Sequence, residues 1–322
     1  MRTVARPWCV FALLTLTGCA ATGPQLAEFA PASARERIEL DDTPFFPQSD
    51  YQCGPAALAT ALAASGVETT ADDLVAAVYL PGRHGSLQTE LIAATRSRGR
   101  LPYVLPADVG SMFAEVAGGR PVVVLQKLGA GPWPGWHYAV LIGYDVAANR
   151  VVLRSGTERR LEMSAKKFLW SWDRGGRWAL LPLKPTEMPA KPDYERYLEG
   201  AAGLEAIGRA VDAEAAYRSA AAQWPDRALP HLGLGNLAYA RNDYAVAARE
   251  YRAAIERDTQ DPVARNNLAE TLRVAGCPSR ARPVLDEARR LAGDGPHAAT
   301  ITTTAAVLAQ DTASDRPECV AW

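Results

Sequence analysis

The spacing of apolar residues divides the chain into two parts of different architecture. Up to about residue 183, helical spacing gives way to short alternating runs, so we expect helices followed by a sheet in one α+β domain covering 40–183. The first helix is predicted from Gly54 to Ala64, with Leu58 and Leu62 on one face. Two further helices are predicted from capping patterns at Thr70 and Ser86, and four strands at 121–126, 137–144, 151–155 and 177–183.

A proline-rich segment, 184–193, separates this part from a region that repeats itself every 34 residues. Small and large residues recur in phase at Ala213, Ala247 and Ala281, and at Tyr217, Tyr251 and Leu285. This register resembles tetratricopeptide repeats, which implies an all-α solenoid with repeats at 194–227, 228–261 and 262–295. The first repeat has Gly200 and Ala201 where Leu and Gly are usual. We expect a capping helix and tail at 296–322, and a separate core in each domain.

The first residues predict export. Arg2 and Arg6 precede an apolar run, Trp8 to Leu16, that is too short to span a bilayer. The run ends in a sequence, 16–20, that resembles the lipobox of bacterial lipoproteins, with Cys19 as the residue to be lipidated. We therefore expect a lipoprotein signal peptide at 1–19, a tether at 20–39, and a lipid-anchored protein of the bacterial envelope. The resemblance implies the outer membrane, facing the periplasm, because no Asp follows Cys19.

Composition, charge and cysteine spacing limit the kinds of molecule that the chain is expected to bind. Hydrophobic residues make up 48% of the chain and the net charge is -1, so the chain is globular and has no nucleic-acid footprint. No pair of its five cysteines has zinc-ligand spacing, and we expect neither a metal nor a cofactor. In an oxidising envelope Cys277 and Cys319 could form a disulfide. Cys53 then remains as the mature thiol without a structural task.

Cys53 stands where an irregular segment meets the first predicted helix. A helix amino terminus and a neighbouring imidazolium lower a thiol pKa from about 8.5, so we expect an activated nucleophile. A buried structural cysteine is the alternative. The best candidate for its base is His137, at the start of an apolar strand. His84 is expected to be solvated in a Gly-flanked loop, and His231 and His297 to lie on the surface of the repeats.

Two segments, 48–58 and 136–144, together resemble the bacteriocin-processing, double-glycine type of papain-like cysteine peptidase. The resemblance covers 40–183 and implies a papain-like fold with peptidase activity. It also implies that a glutamine shortly before the cysteine donates to the oxyanion. Gln48 matches that position, and Gln52 is a weaker choice because it adjoins Cys53 directly.

The chain departs from this family at the third catalytic member. The family carries an Asp at the end of the strand after the histidine, but this strand ends at Ser155. Asp145, in the turn after the histidine strand, and Asp173, in a later loop, are the other candidates. The sequence leaves the choice among these three open.

These observations predict a membrane-anchored cysteine peptidase with Cys53, His137 and Gln48 in its site, whose repeats recruit a protein partner or the substrate. Two alternatives remain. One is a peptide-binding scaffold with weak or no turnover, because an acid is missing beside His137. The other is an envelope amidase that cuts peptidoglycan cross-peptides, although such enzymes usually have Asp before the cysteine. The sequence does not identify the substrate.

Overall fold

The computed structural model describes residues 24–29, 36–48, 52–129, 135–312, 314–317 and 319. The predicted signal peptide and its Cys19 lie outside the described residues. The strands are β1 (Arg37–Glu39), β2 (Leu101–Val104), β3 (Val122–Leu128), β4 (Gly135–Asp145), β5 (Arg150–Ser155), β6 (Glu158–Ser164) and β7 (Ala179–Leu183). The helices of the same domain are α1 (Cys53–Ala64), α2 (Asp72–Val78), α3 (Gln88–Ser97), α4 (Val109–Ala117) and α5 (Ala165–Arg174).

All seven strands belong to one antiparallel sheet, in the order β2-β7-β3-β4-β5-β6, with β1 added beside β4. Alternate residues of the central strands face opposite sides, as the pleat requires. Val123 and Val140 pack in a core with α1 to α3, whereas Val124 and Ala139 pack in a core with α4 and α5. The predicted α+β domain is confirmed, and its four predicted strands are β3, β4, β5 and β7.

The capping patterns predicted from the sequence are present at the second helix. Thr70 N donates to Asp73 Oδ2 at 2.8 Å, and Asp73 N donates to Thr70 Oγ1 at 3.4 Å. This reciprocal pair satisfies two amide donors at the start of α2. The third helix, α3, follows Ser86 as expected but begins at Gln88.

The segment that precedes the domain is more ordered than the predicted tether, 20–39. Arg37–Glu39 forms β1, and Leu26 is fully buried with its backbone N donating to Asn149 Oδ1 at 2.9 Å. The tether assignment is therefore wrong for these residues. The reason is that β3 pairs with β4 only as far as Leu141, so the end of β4 has a free edge that accepts another strand.

The repeat region forms three helix pairs and a final helix. They are α6 (Tyr194–Ala206), α7 (Ala210–Gln223), α8 (Leu229–Ala240), α9 (Tyr244–Arg257), α10 (Pro262–Val274), α11 (Pro278–Ala292) and α12 (Ala298–Gln310). The recurring alanines, among them Ala213 and Ala247, are fully buried. A Cβ on Gly233 would lie 2.5 Å from the Tyr217 ring, so the large residue of one pair fills space left by a small residue of the next. The all-α tetratricopeptide-type solenoid is confirmed.

The two domains share a core, which contradicts the expectation of separate ones. One cluster of buried residues runs from Leu101 and Phe113 of the α+β domain to Tyr197 and Leu237 of the repeats. A Cβ on Gly200 would lie 2.6 Å from the Leu101 side chain. The unusual glycine of the first repeat therefore lets β2 approach α6, and Leu101 occupies the space that a larger residue would fill.

At the other end of the solenoid, a disulfide joins Cys277, before α11, to Cys319 of the tail. The tail also pairs through Arg316 N, which donates to Gly276 O at 2.9 Å. Within the described part of the chain, every helix is too short or too polar to cross a lipid bilayer.

Candidate active site

Cys53 is the first residue of α1, where the backbone amides of a helix have no partners of their own. The backbone amides of Tyr138 and Gly54 lie near its sulfur and favour the thiolate. These donors lower the pKa of the thiol, but burial outweighs them and the pKa of Cys53 is raised above its ordinary value. The expected lowering of this pKa is therefore wrong for the protein without substrate. The half-buried Cys53 is the free cysteine of the described residues.

His137 lies at the start of β4, next to Tyr138, whose amide contacts Cys53. Its Nε2 lies 2.8 Å from Ser155 Oγ. Burial lowers the pKa of His137, because the charged imidazolium loses its hydration there. The raised thiol pKa and the lowered imidazole pKa both favour the neutral forms of Cys53 and His137.

Only one of the three candidates for the third member contacts His137 in the structure. That residue is Ser155, at the end of β5. Asp145 ends β4, about 26 Å along the strand from His137, and its Oδ1 accepts from Ala148 N at 2.8 Å. Asp173 belongs to α5 and forms an ion pair with Arg177. The structure thus brings a hydroxyl, and neither of the two carboxylates, to the imidazole.

Gln48 reaches the site from the segment before α1, and the end of β5 fixes that segment. Gln48 N donates to Gly156 O at 3.2 Å. Its side-chain Oε1 is buried and has no hydrogen-bond partner among the described residues. Gln52, in contrast, immediately precedes α1, and its side chain makes no capping hydrogen bond. Gln48, but not Gln52, lines the cavities that border Cys53.

Arg154 is a buried residue of the site that the sequence analysis did not identify. It precedes Ser155 and is 5% exposed. Its guanidinium donates to backbone carbonyls on both sides: to Asp41 O at 2.9 Å and Thr43 O at 3.1 Å, and to Arg159 O at 2.5 Å. Arg154 therefore ties the segment that carries Gln48 to the strand that carries Ser155. The available signal was a charged residue that directly follows three apolar residues of the strand.

A cavity of about 780 Å³ opens beside these residues. It is lined by Gln48, Cys53, Arg83, His84, Gly85, Ser86, Leu87, Gln88, Leu125, Gly135, Trp136, His137 and Tyr138. Trp136 is 57% exposed, with Lys127 Nζ 5.1 Å from its ring centroid. His84 is exposed, as expected, and it also lines the cavity that contains Cys53. A cavity of this size can hold several residues of a peptide.

Gly54 has a packing role beside the site. A Cβ at Gly54 would lie 2.3 Å from Ser86 Oγ. The glycine therefore allows the segment before α3 to approach α1, and this approach closes one side of the cavity. Tyr138 supports the same segment, since its hydroxyl lies 3.4 Å from Ser86 O.

The remaining histidines lie in the repeat region. His231 Nδ1 lies 2.9 Å from Glu250 Oε2, and His297 immediately precedes α12. His231 and His297 both lie outside the set of residues that line the Cys53 cavity. No group of three or more His, Cys, Asp or Glu residues within the described ranges is arranged to hold a metal ion.

The comparisons with known proteins identify the α+β domain. A family model described as "Peptidase_C39 like family" matches residues 40–179. A solved structure from Bacillus anthracis, described as a C39-like peptidase, is 18% identical and covers 45% of this chain and 96% of its own, with a TM-score of 0.37.

Two solved structures resemble the helical part. The Yersinia enterocolitica type III secretion translocator chaperone SycD is 20% identical, with coverage of 36% of this chain and 91% of its own and a TM-score of 0.35. The TPR2B domain of yeast Sti1 is 18% identical, with coverage of 36% and 96% and a TM-score of 0.35. None of the curated protein sequences matches the chain. The family match confirms the resemblance read from the motifs around Cys53 and His137: residues 40–179 match the model of the C39-like peptidase family.

Proposed function

We propose that the protein is a cysteine peptidase in which Cys53 attacks the peptide carbonyl, His137 transfers the proton, and Gln48 stabilises the oxyanion. The observation that carries the proposal is the surroundings of Cys53. Cys53 begins α1 and lines a cavity that Gln48 and His137 also line, and the backbone amides of Tyr138 and Gly54 lie near its sulfur. An inert structural cysteine has no need of amide donors aimed at its sulfur or of an open cavity beside it.

The proton path follows from the ring contacts of His137. His137 Nε2 is engaged in the hydrogen bond with Ser155 Oγ. The other ring nitrogen, Nδ1, therefore takes the proton from the Cys53 thiol as the sulfur attacks. The same Nδ1–H then protonates the leaving amine, and a thioester remains on Cys53. Water, deprotonated by Nδ1, hydrolyses the thioester and restores the thiol. Ser155 Oγ accepts from the Nε2–H throughout, which holds the ring in one orientation.

The oxyanion requires hydrogen-bond donors that are not already bonded to another group of the protein. The Gln48 carbonyl has no partner among the described residues, so its amide group is free to turn its Nε2 towards the substrate. The backbone N–H of Cys53, at the start of α1, is the second donor. Loss of one such donor costs about 3 to 4 kcal/mol of transition-state stabilisation.

A thiol-directed peptide probe tests the nucleophile. The wild-type protein should be labelled, and C53A should not. H137A should be labelled much more slowly, whereas H297A, which removes an exposed histidine of the repeats, should behave like wild type. Labelling that persists in C53A would show that Cys53 is not the nucleophile.

A second function, peptide capture without turnover, is favoured by one observation. A neutral hydroxyl, Ser155, stands where a carboxylate would stabilise the imidazolium. A protein of this kind binds peptides equally well with and without the Cys53 thiol. Cleavage of any peptide by wild type but not by C53A excludes it.

We further propose that Cys19 anchors the protein to the outer membrane and that the repeats recruit a protein partner or the substrate. The inner side of α6 is occupied by β2, which leaves α8 and α10 as the helices for a partner. Incorporation of labelled palmitate into wild type but not C19A, followed by membrane fractionation, tests the anchor. Crosslinking in intact cells, compared with a chain lacking 194–322, tests recruitment.

A further inference from the structure

One wall of the active-site cavity contains groups suited to binding an anion. A short turn, Pro81–Arg83, leads into His84 and then into the start of α3. The side of the cavity that this segment forms is lined by Arg83, His84, Gly85, Ser86, Leu87 and Gln88. None of the described residues that line the cavity is an Asp or a Glu.

The charge on this wall is not neutralised by its neighbours. The guanidinium of Arg83 makes no hydrogen bond or ion pair with any other residue that the structure describes, although most arginines of the sheet and the repeats are paired. Lys127, beside Trp136, adds a second positive charge near the rim. Glu90, the acid of α3, lies in the first turn of that helix, but its Oε2 accepts from Thr89 Oγ1 and it does not line the cavity.

The start of α3 adds donors to the same wall. Leu87 precedes the helix and supplies no side-chain cap, so the first amides of α3 are unsatisfied by a side chain. The Ser86 hydroxyl, which lies against Gly54 at the edge of the cavity, is buried and has no partner among the described residues. A helix amino terminus with free donors and a nearby arginine favours an anion.

The turn is held so that it presents these side chains. Leu80 N donates to Gly85 O at 2.8 Å, and Arg83 N donates to Leu80 O at 3.0 Å, which closes the turn at its base. His84 takes a left-handed conformation, with φ of 47°, that non-glycine residues adopt rarely.

We propose that Arg83, with His84, Ser86 and the amino end of α3, forms a subsite that binds a carboxylate of the peptide substrate. The inference rests on the proposed peptidase function and names its substrate class: peptides that present an acidic side chain, or a free C-terminal carboxylate, to this wall. Arginine suits a carboxylate because its planar guanidinium donates two parallel hydrogen bonds.

The test uses the full chain and pooled peptides that differ only in charge. One pool has Glu at a fixed central position and a second has Gln, and each is made with a free and an amidated C-terminus. Two quantities are measured: kcat/KM for cleavage, and protection of Cys53 from iodoacetamide, read by mass spectrometry of the peptide that contains Cys53. The second readout requires binding but no turnover.

For wild type, we expect the carboxylate-bearing pool to be preferred about tenfold in both readouts. The preference should disappear in R83Q and be largely kept in R83K, while R289Q, which removes an exposed arginine of α11, should match wild type. A preference for Glu over Gln identifies a side-chain carboxylate as the ligand. A preference for the free over the amidated C-terminus identifies the terminal carboxylate.

The outcomes separate the two proposals. Cleavage without any charge preference, or a preference that R83Q keeps, overturns the subsite and leaves the peptidase intact. Charge-dependent protection of Cys53 without cleavage supports the subsite and overturns the peptidase. Failure of every pool to protect Cys53 overturns the subsite as well. H84G, which keeps the left-handed backbone but removes the imidazole, reports whether His84 contributes.

Discussion

His137 Nε2 and Ser155 Oγ lie 2.8 Å apart, so the histidine of the site is held by a hydroxyl and not by a carboxylate. A hydroxyl can orient an imidazole, but it carries no charge to stabilise the imidazolium that forms during attack. Because burial already lowers the pKa of His137, the proton is harder to hold on the ring. The protein should therefore be a slower catalyst than one with an acid at this position.

Replacement of Ser155 by Asp tests this relationship. A carboxylate at hydrogen-bond distance raises the pKa of an imidazole by about 1 to 3 units, and we expect S155D to raise kcat/KM about tenfold. S155A, which removes the oriented contact, should lower it below wild type. Peptide cleavage by the three proteins at pH 7 makes the comparison. If S155D is no faster than S155A, His137 does not act through this contact.

The reactivity of Cys53 should rise only at alkaline pH in the absence of substrate. Its raised pKa means that less thiolate is present at pH 7 than in a free cysteine, and the lowered pKa of His137 disfavours the imidazolium that would stabilise the thiolate. The rate of alkylation by iodoacetamide, measured from pH 5 to 11, should follow one ionisation above the ordinary thiol pKa. A fast plateau between pH 5 and 7 would reveal a thiolate–imidazolium pair and contradict this description.

Much of this site could be predicted from the sequence, because its chemistry is carried by short motifs. Cys53, His137 and Gln48 were identified from motifs, and the structure places all three around one cavity. The electrostatics could not be predicted. Whether a helix terminus lowers the pKa of a thiol depends on how far burial opposes it, and burial is set by residues such as Tyr138 that are distant in sequence.

Arg154 should position the oxyanion donor. Replacing it with Met leaves the carbonyls of Asp41 and Thr43 without their donor, which costs about 1 to 3 kcal/mol of stability. Because the segment carrying Gln48 is then less fixed, we expect kcat to fall more than KM rises. R154K should recover part of kcat. The exposed Arg159, changed to Met, is the matched control. If Arg154→Met and Arg159→Met change kcat equally after correction for stability, Arg154 does not position the oxyanion donor.

Gly200 should be required for docking of the repeats. A leucine, the usual residue at this point of such a repeat, would collide with Leu101 across the domain interface. Overpacking of this kind costs about 1 to 3 kcal/mol. G200L should therefore lower the urea midpoint, whereas E199L, an exposed neighbour on α6, should not. If G200L unfolds at the wild-type midpoint, the shared core does not couple the two domains.

The fold could be predicted where the sequence periodicity is strong, as in the 34-residue repeat. It was harder to predict where a segment becomes a strand only by pairing with a neighbouring strand. Strand β1 is three residues long, and it forms because the end of β4 has a free edge. The strand β6 was also missed, since its arginines and glutamates obscure the alternation, and so were β2, α4 and α5. The shared core depends on Gly200. In the sequence this glycine is only a departure from the repeat pattern, and its role becomes clear from the packing of Leu101 against it.

The most direct test of the central claim is Cys53-dependent cleavage. Pooled synthetic peptides are incubated with wild type, C53S, H137A and H297A, and the products and the mass of the Cys53-containing peptide are followed together. We predict new amino termini and a transient acyl adduct on Cys53 with wild type and H297A, and neither with C53S. Cleavage that C53S retains, or complete absence of cleavage and adduct with wild type, would contradict the account.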